Sequence, residues 1–105
     1  MLLELSNSIN TYVLKDEFVL GKQILKSGTS IGANIRESRN AQSLSDFISK
    51  MNIALKEADE TQYWIEILYA SDIINQPEFE ALNDDLKELI ALLTSSIKTL
   101  KKKQN

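Results

Sequence analysis

The sequence predicts an all-α fold, an up-down-up-down four-helix bundle with a short first helix, in a single domain spanning residues 1–105. Three observations carry this. Apolar residues recur at spacings of three and four along most of the chain, and no alternating strand pattern competes. The polar breaks at Lys15-Asp16-Glu17, Asn40-Ala41-Gln42 and Asn75-Gln76-Pro77 are short, so consecutive helices are expected to run antiparallel. Finally, the three glycines, Gly21, Gly28 and Gly32, fall on one helical stripe, within about 80° of one another at 100° per residue. Glycine inside a helix costs roughly 0.5–1 kcal/mol relative to alanine, so three on one stripe point to a backbone packed close against it. Ser27, Thr29, Ser30 and Ala33 surround the stripe and thin it further. Gly21, Gly28, Gly32 and Ala33 are the candidate close-packing positions.

Taken in order, Leu2, Leu3, Leu5, Ile9, Tyr12 and Val13 predict a first helix over residues 2–14, short and without a cap. Asp16 is placed to cap the second helix, expected from about Glu17 to Arg39, with Leu20, Ile24, Ile31 and Ile35 as its apolar stripe. Ser27-Gly28 is where that helix would kink or divide in two. Ser43 and Asp46 have capping-box spacing before a third helix, the longest, from about Leu44 to Ile74. Its broad apolar face holds Leu44, Phe47, Ile48, Met51, Leu55, Ala58, Ile65, Leu68 and Tyr69, interrupted by Gln62. Pro77 is expected at the first position of a fourth helix, with Glu78 and Glu80 at its positive end. Phe79, Leu82, Leu86, Leu89, Ile90, Leu93, Ile97 and Leu100 make a nearly unbroken seam along it.

Composition excludes much chemistry. A chain of 105 residues, 43% apolar and 26% charged, is ordinary for one soluble domain. It has no cysteine and no histidine, which removes disulfides, thiol chemistry, the commonest general base and the commonest transition-metal ligand. Glu57, Glu60 and Glu66 lie off the apolar face, and without histidine a Glu-x-x-His di-metal site cannot be completed. The segment GTSIGA lacks the Gly-Lys-Ser/Thr ending of a phosphate loop. No catalytic, cofactor-binding or metal residues are therefore expected, and the chain reads as no enzyme. The N-terminus lacks a basic region and an apolar run of signal-peptide length, and no stretch approaches a membrane span. The expected setting is cytoplasmic, with no membrane partner.

Charge is unevenly spread. The formal net charge is −3, with an isoelectric point near 4.9. Between Glu57 and Glu88 stand ten acidic residues and one basic residue, Lys87. Lys22, Lys26, Arg36, Arg39 and Lys50 lie on or near the second helix and are the candidate nucleic-acid contacts, which an oligomer would repeat about its axis. Lys101-Lys102-Lys103 reads first as a helix end whose cations complement the macrodipole, with a nucleic-acid or membrane tail as the alternative.

A second apolar strip is expected on the third helix, where Ile53, Trp64, Ile67 and Ile74 fall opposite the core face. A strip holding the only tryptophan marks a candidate oligomer interface. Coverage by the fourth helix or the N-terminal segment is the other reading, and a different partner a third.

Two segments carry a family likeness. SGTSIGANIRES, residues 27–38, and DFISKMNIALKEADETQYWIEIL, residues 46–68, resemble the four-helix bundle proteins of the 23S rRNA intervening-sequence family over roughly residues 17–75. The resemblance implies a small helical bundle assembling as a homopentamer, an unsettled biochemical role, and an RNA or ribonucleoprotein partner. The accessory proteins of diversity-generating retroelements form a related branch that binds nucleic acid through a basic surface. This chain is acidic overall, so the likeness carries over the packing segment and the oligomer, and not that binding surface.

Overall fold

Three runs of three-and-four apolar spacing become three helices in the computed structural model, which describes residues 18–104. These are α1 (Phe18–Ser38), α2 (Leu44–Ala70) and α3 (Gln76–Gln104), with no strand among the described residues. The four-helix expectation is thus corrected to three helices over this region. The helix predicted over residues 2–14 and its neighbouring cap Asp16 lie outside the described residues. None of the three helices is long and apolar enough to cross a membrane.

α1 runs unbroken through Ser27-Gly28, so the division into two helices offered as an alternative does not occur. The hydroxyl of Ser27 donates to the Ile24 carbonyl at 3.3 Å, satisfying itself within the helix. α2 begins as its capping residues dictate: the Asp46 amide donates to Ser43 Oγ at 3.0 Å. The carboxylate of Asp46 takes the Gln42 amide, one residue earlier than a full capping box would have it.

α2 ends at Ala70 and not at Ile74. Asp72 adopts φ 60°, and the amides of Asp72 and Ile73 donate to the carbonyls of Tyr69 and Leu68. This is the Schellman arrangement, with aspartate in the left-handed position usually given to glycine. Ile73 then packs against the core and Ile74 turns into it. α3 starts with a reciprocal cap. The Glu78 amide donates to Asn75 Oδ1 at 2.9 Å, and the Asn75 amide donates to Glu78 Oε1 at 3.0 Å. Asn75 is therefore the N-cap and Pro77 the second helical residue, where its missing N–H is equally harmless.

α2 is the central helix and packs along both α1 and α3. Ile24 and Ile31 from α1 meet Ala54, Ala58, Ile65 and Leu68 from α2, and Leu82, Leu86 and Leu93 complete the core from α3. Each fully buried isoleucine or leucine contributes roughly 1.5–3 kcal/mol. Small residues allow the α1–α2 approach: Ala54, Ala58 and Thr61 are fully buried, and Thr61 Oγ1 donates to Ser27 Oγ across the interface at 2.7 Å.

The glycine stripe flanks this seam. Gly21 is buried, Gly28 and Gly32 are half-buried, and Ala33 is exposed. Ala33 is a correction with a simple cause: nine residues beyond buried Ile24 is about 900° of rotation, which puts it on the opposite side of α1.

Candidate functional site

The antiparallel turns at residues 39–43 and 71–75 fold the charge pattern of the chain onto itself. The C-terminal end of α1, the N-terminal end of α2 and the C-terminal end of α3 come together at one end of the molecule. Two contacts fix this. Lys50 Nζ lies 3.3 Å from Glu37 Oε2, joining α2 to α1. Gln104 Nε2 donates to Ser45 Oγ, joining α3 to α2.

That end gathers Arg36 and Arg39 from α1, Lys50 from α2, and Lys98, Lys101, Lys102 and Lys103 from α3. All but Lys50 are exposed, and Lys50 is half-buried beside Glu37. Among the described residues only Glu37 and Asp46 oppose them there, and Asp46 is engaged by the Gln42 amide. The opposite half carries the ten acids from Glu57 to Glu88. Hydrogen bonding of Gln62 Nε2 to Asn83 Oδ1 at 2.9 Å and stacking of Tyr69 on Phe79 at 4.4 Å align α2 with α3 there. An acidic chain thus carries a concentrated basic end.

Of the five cations singled out from sequence, the fold brings Arg36, Arg39 and Lys50 to this end and leaves Lys22 and Lys26 in the other half of α1. Lys98 and Lys101–Lys103 were missed as members of the cluster. The signal was present, because folding the charge string at the two polar breaks superimposes residues 36–50 on the lysine tail.

The proposed apolar strip does not survive as a strip. Ile74 is 2% exposed and belongs to the core, because helical spacing stops applying after Ala70. Trp64 is half-buried against the core, only about 60° around the helix from buried Thr61. Ile67 is half-buried and Ile53 is 40% exposed. Two features of a surface site persist: Tyr63 is 57% exposed, and the Trp64 indole Nε1 is buried with no hydrogen-bond partner. Tyr63 packs edge-on to that indole at 5.3 Å.

Two of the surface concavities lie between pairs of helices. A polar cleft between α1 and α2 is lined by Gln23, Lys26, Ser27, Ser30, Glu57 and Glu60. Its hydroxyls have no neighbouring base to activate them, and Ser27 is already engaged by Thr61. An apolar groove between α2 and α3 is lined by Phe47, Met51, Ser95, Ser96, Thr99 and Leu100. Among the described residues no group of three or more carboxylates is placed to hold a metal ion.

The fold has a solved counterpart. A protein of unknown function from the S23 ribosomal protein family of Bacteroides thetaiotaomicron is 50% identical, with a TM-score of 0.85. The similarity covers 92% of this chain and 94% of that one. No curated protein matches the chain. The sequence pattern of the 23S rRNA-intervening sequence proteins matches residues 2–95, a span that takes in all of α1 and α2 and most of α3. The chain belongs to the 23S rRNA-intervening sequence protein family.

Proposed function

We propose that this chain is a non-catalytic accessory subunit that acts by contact, holding a phosphate backbone against its basic end. One observation carries the reading: Arg36, Arg39, Lys50, Lys98 and Lys101–Lys103 converge from three helices on one end of a chain whose net charge is −3. Neutralising lysines and arginines dominate affinity for nucleic acids, and their effect depends on local density more than on net charge. The absence of histidine and cysteine fits a role without chemistry and an intracellular setting. Titration of the protein against a labelled RNA by fluorescence anisotropy tests this. Micromolar-range binding that weakens steeply with salt supports the reading, and no binding at low salt rejects it.

Self-assembly is the second reading, favoured by two exposed large side chains on α2, Ile53 and Tyr63. The family likeness supports five subunits, and a ring would repeat the basic end and add avidity. Light scattering on wild type and on an Ile53→Asp/Tyr63→Glu variant tests the assembly. The expected result is a wild-type oligomer that the variant disperses with its helices intact. A wild-type monomer at tens of micromolar contradicts the reading.

A further inference from the structure

We infer that the ligand of the basic end is a nucleic-acid duplex, held by its phosphates alone with no base read, and that the bundle stands end-on upon it. This rests on the phosphate-binding reading above and commits it to one form of nucleic acid.

The placement of the aromatic residues is the first ground. Single strands are held by bases stacking on exposed aromatic faces. Tyr63, Trp64, Tyr69 and Phe79 all lie in the acidic half, away from the basic cluster. Among the described residues the basic end has only Phe47, half-buried in the groove with Met51 and Leu100. It therefore offers cations without a stacking platform.

The end does carry side chains able to read bases, Arg36, Arg39, Asn40, Gln42 and Gln104, but it presents them at helix ends and in a turn. Arginine and asparagine or glutamine read base edges when an element carries them into a groove. Here Arg36 and Arg39 sit at the last turn of α1, and the lysines at the last turns of α3, so the cations form a blunt end and no helix projects from it. Contacts of this kind position a protein on the backbone and carry no sequence information.

Size and charge density match a duplex. The molecule measures 47 × 21 × 17 Å, and its helices run along the long dimension. An end 21 Å across spans on the order of six base pairs at 3.4 Å per step. Duplex DNA carries one charge per about 1.7 Å of axis, roughly twice the density of one strand, so a compact cluster of cations meets more phosphates on a duplex. The acidic half faces away in this pose and would be repelled in any side-on pose, which orients the long axis away from the duplex.

The test compares labelled 20-base-pair RNA and DNA duplexes with single strands of the same sequences, in fluorescence anisotropy across a salt series. Both duplexes are expected to bind within a few-fold of each other and of a scrambled duplex, and roughly tenfold more tightly than single strands. For about six contacts, affinity for the DNA duplex should fall by on the order of 10³ between 50 and 200 mM salt. A single strand bound as tightly as the duplex, or a scrambled duplex bound tenfold more weakly, overturns the inference while leaving phosphate binding standing. Absence of binding to every probe overturns both.

Discussion

Thr61 and Ser27 show how much one buried hydroxyl pair specifies. Both are almost fully buried where α1 crosses α2, and a hydrogen bond between their side chains ties the two helices together there. Thr61 also lies 2.8 Å from the Glu57 carbonyl, so its proton has two acceptors and its removal leaves Ser27 without its partner. Thr61→Val keeps the shape and deletes the donor. Chemical denaturation should find it destabilised by about 1 kcal/mol, and the Ser27→Ala/Thr61→Val double variant should lose less than the two single variants combined. Strict additivity would mean the pair is not coupled. Sequence reading listed Ser27 among small residues thinning the glycine stripe and left Thr61 out of the core. Its partner stands 34 residues away, so only the register of two helices reveals that the two hydroxyls meet.

At the scale of elements, the helices themselves were legible and their ends less so. Periodicity and polar breaks located the end of α1 and the start of α3 to within a residue, because long amphipathic runs leave one low-energy burial. The α2 terminus was placed four residues late, since Ile73 and Ile74 continue the apolar pattern that ended in the helix at Ala70. What stops the helix is local: Asp72 takes a left-handed conformation and closes the Schellman bonds. Glycine accepts that conformation freely, so Asp72→Gly should raise stability by about 0.5–1 kcal/mol, whereas Asp72→Val should lower it by about 1–2 kcal/mol. Thermal melts of the two variants moving in the same direction would contradict the strain assigned to this residue. The reciprocal cap at Asn75 and Glu78 is the other end of the same turn. Asn75→Ala should cost about 1 kcal/mol, and an unchanged melting temperature would show that the cap is dispensable.

At the scale of the molecule, the candidate site is a product of topology. Runs of charge that look balanced or acidic along the chain become a basic end and an acidic half once two tight turns reverse the direction of the helices. The sequence held every cation of the cluster, and three of the seven were marked as candidates before the fold was considered. Of the four on α3, Lys101, Lys102 and Lys103 read first as complementing the helix dipole, a role they also fill, and Lys98 carries no assignment. The apolar strip failed for the converse reason: rotation by 100° per residue was extended past the helix end, and Ile74 was counted on a face the chain had already left.

The central claim is that position, and not net charge, makes the basic end a phosphate site. Two triple variants of equal net charge decide it: Lys101→Glu/Lys102→Glu/Lys103→Glu at the basic end, and Lys22→Glu/Lys26→Glu/Lys87→Glu elsewhere. Their affinities for one 20-base-pair duplex at 50 mM salt are the measurement, with circular dichroism confirming that both remain helical. The basic-end variant is predicted to lose at least a hundredfold in affinity, and its salt slope should fall by roughly three for the contacts removed. The other variant should stay within a few-fold of wild type. Equal losses in both would contradict the account.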